Sequence, residues 1–161
     1  MIILGIDPSL NSTGYGLIEY KNSRVHYLES GVIKNIQKTP IEIKLLTISE
    51  KIENILTIYK PFKSGIEETF VNTNFQTSLK LAMARGVILT QLAKFEIPIL
   101  ELSPNLIKKN ITGYGKAKKD QVSFMIMQIL SGISKNHKFD TEDETDAIAI
   151  AITALNSKNY M

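Results

Sequence analysis

The chain has 161 residues, of which 43% are hydrophobic and 22% charged, and its net charge of +3 is modest for a globular protein. It has no cysteine and two histidines, which excludes disulfides, thiolate metal sites and imidazole-rich sites, so a bound metal ion would need oxygen ligands. No apolar run approaches the ~20 residues of a membrane span, and no signal peptide is recognisable, so we expect a cytoplasmic protein with no membrane partner.

The first part of the chain has the pattern of three strands and a helix. Apolar residues in Ile2–Asp7, 14–20 and 25–33 are separated by short turn-forming segments, which predicts neighbouring antiparallel strands. Within Ile41–Tyr59 the apolar residues recur at spacings of three and four. An amphipathic helix is therefore expected there, and Pro61 should end it.

The rest of the chain alternates short strands with helices. We predict strands in SGIEETF (64–70) and IPILEL (97–102), with a helix at 77–93 between them. A third helix has an apolar stripe that ends at Gly132. The segment DAIAIAITAL (146–155) predicts a last helix that is buried over most of its surface.

These elements together predict an α/β fold. The order βββαβαβαα indicates one mixed five-stranded sheet with helices on both faces. No repeat or linker divides the chain, so we expect a single domain over residues 1–157, followed by a short tail at 158–161.

Acidic residues end two of the predicted strands. Side chains alternate across a strand, so in GID and GIE the acid shares a face with the glycine, and Asp7 and Glu67 occupy equivalent positions. This repeated pattern favours Glu67 over its neighbour Glu68. In the last helix, Asp143 and Asp146 are three residues apart and project from one face. Simpler roles also fit each acid, as a turn residue or as a favourable charge in a first helical turn.

Several carboxylates in one place need a cation. At ~4 Å and an effective dielectric constant of ~20, each like-charged pair costs about 4 kcal/mol. Mg²⁺ binds through a few carboxylates and keeps waters and substrate phosphates as its other ligands, and two such ions can support phosphoryl displacement. We therefore predict a site for two Mg²⁺ ions, with Mn²⁺ as an alternative, whose ligands are Asp7, Glu67, Asp143 and Asp146.

Charge is unevenly distributed in the second half of the chain. The segment KKNITGYGKAKKD (108–120) has five lysines and one aspartate, whereas FDTEDETD (139–146) has five carboxylates and no base. Such a run alone usually indicates a solvated face. Lys116, Lys118 and Lys119, however, precede a predicted helix, where the helix dipole disfavours cations. Phosphate binding explains this position better than stability does, so we predict that these lysines contact DNA.

Two phenylalanines lie in the polar segment TFVNTNFQT, which has no apolar periodicity. Phe70 or Phe75 could act as a wedge between bases or as a stacking platform for unpaired bases. The alternative for each is an apolar residue that anchors a loop to the core.

Five segments of the chain, spread over residues 1–154, resemble the RuvC-type Holliday junction resolvases. They are ILGIDPS with TGYG, IEETF, LKLAMARG, LIKKNITGYGKAKKDQV and DETDAIAIA, in that order. The resemblance implies a ribonuclease H-like fold, a homodimer, and Mg²⁺-dependent cutting of two strands of a four-way DNA junction during recombination and repair. It also suggests a branch-migration helicase as a partner.

The resemblance implies roles for individual residues as well. Lys108 and Lys119 match basic residues beside the scissile phosphate, and Lys108 is thus a candidate catalytic residue. Phe70 matches an aromatic residue of the loop that enters the junction. Ser9 stands where the family usually has a glycine, which puts the tightness of the turn after Pro8 in question. The family's four catalytic, metal-binding acids correspond to Asp7, Glu67, Asp143 and Asp146.

Two other functions fit parts of the pattern. GID followed by STG also resembles the first phosphate loop of actin-like and sugar-kinase ATPases, but those proteins need a second domain and a second phosphate loop. A protein that binds branched DNA without cutting it would also use the lysines, but it would not need four acids. Cleavage of a synthetic four-way junction with and without Mg²⁺ distinguishes the three functions.

Overall fold

The computed structural model describes residues 1–69, 74–134 and 137–157, so Phe70 and the tail at 158–161 lie outside the described residues. None of the helices in this described part is both long and apolar enough to cross a membrane. The elements, in chain order, are β1 (Ile2–Asp7), β2 (Ser12–Lys21), β3 (Arg24–Lys34), α1 (Ile41–Tyr59), β4 (Lys63–Glu67), α2 (Phe75–Lys94), β5 (Ile99–Leu102), α3 (Pro104–Thr112), α4 (Lys119–Ile129), β6 (Leu130–Ser131) and α5 (Glu142–Asn156).

The strands form one mixed sheet in the order β5-β4-β1-β2-β3-β6. The first three strands pair antiparallel, as predicted, whereas β4 is parallel to β1 and β5 is parallel to β4. The sixth strand, β6, pairs parallel with β3 at the opposite edge. The sheet therefore has one strand more than the predicted five, because a two-residue strand leaves no alternation in the sequence.

Helices cover both faces of the sheet, as predicted. On one face, α1 and α2 pack against side chains that include Leu4, Ile6 and Ile66. On the other face, α3, α4 and α5 pack against Ile3 and Ile18. Because neighbouring residues of β1 point to opposite faces, this single strand contributes to both cores.

Helix α5 lies directly on the backbone of the central strands. A Cβ atom added to Gly5 would lie 2.0 Å from the Ala147 carbonyl oxygen, and one added to Gly65 would lie 2.9 Å from the Ala154 Cβ. Only glycine permits so close an approach of helix to sheet. The ends of β1 and β4, two residues beyond these glycines, are thereby held against the first turns of α5.

Helix α3 is absent from the predicted elements. Its nine residues are too few to show a clear apolar period, although its ends carry recognisable signals. The Ser103 side chain accepts a hydrogen bond from the Leu106 backbone N–H at 3.3 Å, Pro104 occupies the first turn, and Gly113 ends the helix with a φ of 78°.

Candidate functional site

Two acids project from the ends of adjacent parallel strands. Asp7 is the last residue of β1 and Glu67 the last residue of β4, and the pairing of Ile6 with Ile66 aligns the two strands. Both acids lie on the face that α5 covers, as the alternation of GID and GIE predicts. Glu67 lines the pocket described next and Glu68 does not, which agrees with the preference for Glu67.

A pocket of about 300 Å³ brings acids and lysines together. Five elements contribute charged side chains to its lining, namely β1, β4, α3, α4 and α5. Apolar side chains from α3, α4 and α5 form the remainder of the wall. The charged residues that line it are Asp7, Glu67, Lys108, Lys119 and Asp146.

Asp143 lies beside this pocket rather than in its lining. Its carboxylate accepts a hydrogen bond from the Ser12 hydroxyl at the start of β2. The helix cap is a different residue, Thr141, whose hydroxyl accepts a hydrogen bond from the Glu144 N–H at 3.3 Å. A Cβ added to Gly14 would lie 2.2 Å from the Asp143 carbonyl oxygen, so this glycine lets the first turn of α5 reach β2.

Burial and mutual repulsion raise the pKa values of the pocket acids. Burial, followed by the charges of Glu67, Asp146 and Asp143, raises the pKa of Asp7 from 3.8 to about 7. Burial and then the charge of Asp146 raise the pKa of Glu67, against the opposing effect of Lys108 and Lys119. Burial also raises the pKa of Asp146. The surroundings of all three acids therefore disfavour the charged carboxylate, an effect that a bound cation would offset.

Lys119 lies within ion-pair distance of one pocket acid, Asp146. Its ammonium group lies 2.5 Å from the Glu142 carboxylate and 3.7 Å from the Asp146 carboxylate. The pKa of Lys119 is raised, first of all by the hydrogen bond to Glu142. Lys108 is half-buried in the same pocket and has no ion pair in the described part of the chain.

In the described part of the chain, the carboxylates are not arranged as a set of metal ligands. Among residues 1–69, 74–134 and 137–157, no group of three or more His, Asp or Glu side chains is arranged to hold a metal ion. Asp143 is engaged with Ser12, and Asp146 with Lys119, so an ion would have to displace these contacts. The donors nevertheless suit a hard divalent cation, because all of them are carboxylate oxygens.

Three of the predicted DNA contacts, Lys116, Lys118 and Phe75, lie outside the pocket, and Phe70 falls outside the described residues. Lys116 and Lys118 are exposed in the connection between α3 and α4. No side chain at the N-cap of α4 accepts a helix N–H among the described residues; instead, Gln121 Oε1 accepts a hydrogen bond from the Lys118 backbone N–H at 2.9 Å. Phe75 begins α2 and is 73% exposed, so it does not anchor that segment to the core.

Arg85 is a structural partner of the site that the sequence pattern did not reveal. Its buried guanidinium donates a hydrogen bond to the Glu67 backbone carbonyl at 2.6 Å and another to the Glu101 carboxylate at 2.6 Å. Arg85 thus ties α2 to the end of β4. The available signal was a lone arginine within LKLAMARG, among mostly apolar and small residues.

The turn after β1 accommodates serine without strain. Ser9 does not have a positive φ, so this position does not require glycine. The Thr13 hydroxyl donates a hydrogen bond to the Ser9 carbonyl at 2.5 Å and accepts one from the Ser9 N–H at 3.2 Å. The side chain of Thr13 therefore stabilises the turn that follows Asp7.

Comparison with known proteins identifies the family. A family profile described as crossover junction endodeoxyribonuclease RuvC matches residues 3–154. Proteins of that name from Rickettsia bellii (strain RML369-C) and Rickettsia prowazekii (strain Madrid E) are 46% and 42% identical to this chain over 160 residues, which cover 99% of this chain and 100% of each relative.

Solved structures agree with this match. The structure described as T. thermophilus RuvC in complex with Holliday junction substrate has a TM-score of 0.86 at 26% identity, and the match covers 95% of this chain and 92% of that one. The yeast mitochondrial Holliday junction resolvase Ydc2, at 16% identity and a TM-score of 0.66, shares the fold, with 94% and 77% coverage. The predicted α/β, ribonuclease H-like fold is thus confirmed. On this evidence the chain belongs to the RuvC family of crossover junction endodeoxyribonucleases.

Proposed function

We propose that this protein resolves four-way (Holliday) DNA junctions by paired, metal-dependent phosphodiester hydrolysis, and that residues 1–157 act as one nuclease domain. Membership of the family gives the reaction class, an endodeoxyribonuclease. The assignment of residues rests on one pocket, which is lined by three acids with raised pKa values and by two lysines.

The acids are proposed to hold Mg²⁺, two ions per site, with Mn²⁺ as an alternative. The chemistry that such ions supply is neutralisation of phosphate charge and activation of water. Asp7 and Glu67 fit this role because they stand at the ends of adjacent strands in a packed sheet, where their backbone positions are fixed. Asp143 and Asp146 would complete the ligand set from α5. Because the sheet fixes the backbone of Asp7 and Glu67, these residues would need to move little when an ion binds.

Lys108 and Lys119 are proposed to contact the phosphate that is cut. Both line the acid pocket, so a phosphate bound to the acids through metal ions would lie within their reach. Lys119 would exchange its contact with Glu142 for the phosphate. A lysine in this position stabilises the negative charge that develops on the phosphate oxygens during hydrolysis.

Surface residues are proposed to hold the junction arms. Lys116 and Lys118, exposed beside the N-terminus of α4, would bind the DNA backbone. Phe70 remains the proposed wedge, and Phe75 stands exposed at the start of α2. A branch-migration helicase as partner, and a cytoplasmic location, remain predictions to which no described residue contributes.

Paired cutting requires two active sites, and we propose a homodimer that supplies them. Helix α2 offers a suitable face, because exposed Leu79 and Met83 lie on one side of it. Gly86 continues this side, and a Cβ added there would meet no atom within 4 Å among the described residues. An apolar stripe next to a small residue is the pattern with which helices pack closely.

The decisive experiment is cleavage of a synthetic four-way junction with and without Mg²⁺. We expect paired cuts in Mg²⁺ and none in EDTA, and we expect Glu67→Gln to bind the junction without cutting it. Glu68→Gln is the matched control, since its side chain does not line the pocket, and it should cut at close to the parental rate. Binding without products in either buffer would instead identify a non-cleaving junction-binding protein.

A further inference from the structure

A second groove lies on the other side of α4 from the acid pocket. It has a volume of about 470 Å³, and its lining includes Tyr114, from the connection between α3 and α4, and Phe124, from α4 itself. These side chains are 61% and 64% exposed. Two large aromatic side chains that share one open groove keep apolar area in contact with water, which a ligand with a flat apolar face would cover.

The surroundings of this aromatic groove are basic. Lys116 and Lys118 lie in the same short connection as Tyr114, both are exposed, and neither has an ion pair within the described ranges. Asp120 also lines the groove, in the first turn of α4, where the helix dipole favours an acid. A polyanion that carries flat apolar groups is complementary to this combination, whereas an apolar protein surface would leave the lysines without counter-charges.

The groove also adjoins the acid pocket along the chain. Lys119 immediately follows Lys118 and lines that pocket, so the short segment that connects α3 to α4, together with the start of α4, contributes side chains to both sites. Base–aromatic stacking tolerates any sequence because every base has a π-face.

We propose that the aromatic groove binds an unpaired nucleotide of DNA, whose base contacts both Tyr114 and Phe124 while Lys116 and Lys118 bind the adjoining phosphates. The proposal rests on the proposed function as a DNA-junction nuclease and adds a binding site for a single-stranded base to it. A site of this kind would stabilise junctions in which base pairs near the crossover have opened.

The test uses the full chain and a short single-stranded oligonucleotide that contains 2-aminopurine, whose fluorescence falls on stacking. Phe124→Ala and Tyr114→Ala should each weaken binding by about tenfold and reduce the quenching. Phe124→Leu should behave like Phe124→Ala, because it keeps apolar volume but has no π-face. Phe62→Ala is the matched control, a 55% exposed phenylalanine between α1 and β4, and it should bind like the parent.

Salt dependence separates stacking from phosphate contacts. Lys118→Ala should lower the slope of log affinity against log salt by about one, whereas Phe124→Ala should leave the slope unchanged. If both alanine variants bind and quench like the parent, while the parent still cuts junctions in Mg²⁺, the proposed nucleotide site is wrong. The nuclease function would then be unaffected. Failure of the parent to cut junctions would contradict the nuclease function itself. A change of oligomeric mass with unchanged DNA binding would assign the groove to a protein contact and overturn the proposal.

Discussion

Asp7 is the residue in which burial and charge conflict most strongly. It ends a buried strand, and three neighbouring carboxylates add to the effect of burial in raising its pKa to about 7. A residue that merely shaped a turn would not need such surroundings. The cost of keeping it charged is explained if a cation is bound when the protein works.

Asp7→Asn should stabilise the metal-free protein in a pH-dependent manner. The pKa of Asp7 is higher in the folded than in the unfolded chain, so the parent loses stability as pH rises from about 4 to about 7. Asparagine does not titrate. In EDTA the variant should therefore gain nothing near pH 4 and about 1 to 3 kcal/mol above pH 7. Urea denaturation across this pH range measures the difference, and Mg²⁺ should then stabilise the parent more than the variant. A variant less stable than the parent at pH 8 in EDTA would indicate that Asp7 serves only the turn.

Lys108→Ala and Lys116→Ala should have opposite effects. Lys108 lines the acid pocket, so its loss should slow single-turnover cleavage by about 10²-fold and leave junction affinity within a few fold. Lys116 is exposed outside that pocket, so its loss should weaken junction binding and lower the salt dependence of that binding. The cleavage rate of the bound complex should stay unchanged. Single-turnover kinetics with a binding titration measure both quantities. Weakened binding with an unchanged cutting rate in Lys108→Ala would contradict its catalytic role.

At the scale of elements, one buried arginine adds hydrogen bonds to the apolar packing of α2 against the sheet. Arg85→Gln should remove hydrogen bonds to the Glu67 carbonyl and to Glu101, and it should lower the free energy of unfolding by about 2 to 4 kcal/mol. The control is Lys94→Ala, which breaks an exposed pair with Glu53 and should cost less than about 1 kcal/mol. Urea denaturation compares the two variants, and equal costs would show that the buried contacts add nothing to stability.

The exposed face of α2 should control association. Leu79→Glu places a charge in the proposed helix–helix contact and should convert a dimer to a monomer in light scattering. Leu46→Glu, at a similarly exposed apolar position on α1, is the control and should leave the mass unchanged. A dimeric Leu79→Glu together with a monomeric Leu46→Glu would move the interface to α1.

Long periodic elements were predictable from the sequence, and short or cross-chain features were not. The bounds of β1 and α1 agree with the predicted ones because their patterns are long or sharply ended. Side-chain alternation predicted equivalent strand positions for Asp7 and Glu67, and the parallel pairing of β4 with β1 brings the two acids together. The Ser12–Asp143 and Arg85–Glu67 contacts were not predictable, because they join residues 131 and 18 positions apart and depend on tertiary packing. The same limit applies to β6, which exists only as a pairing partner of β3.

At the scale of the whole molecule, the parts proposed for catalysis and for DNA binding differ in burial. The acids lie on two central strands and on α5, where Ala147, Ile148, Ala149, Ile150 and Ala151 are all buried. Among the described residues proposed to bind DNA, the exposed ones lie on the outer segments around α4 (Tyr114, Lys116, Lys118, Lys119 and Phe124) and at the start of α2 (Phe75). Adaptation to a branched substrate is therefore expected in the outer segments, with the acids held in place.

The close contact of α5 with Gly5 and Gly65 also predicts how the protein opens. A helix that rests on strand backbone cannot detach in part without exposing the centre of the fold, so amide hydrogens in α5 and β1 should exchange with solvent only through global unfolding. The backbone amides of Lys116 and Lys118 should exchange orders of magnitude faster. If the acids could be exposed by a small local opening, exchange in α5 would be faster than the unfolding equilibrium allows. If exchange in α5 matches global unfolding, a protease can cut the segments that carry the acids only when the whole chain unfolds, so the lifetime of the candidate site is the lifetime of the fold.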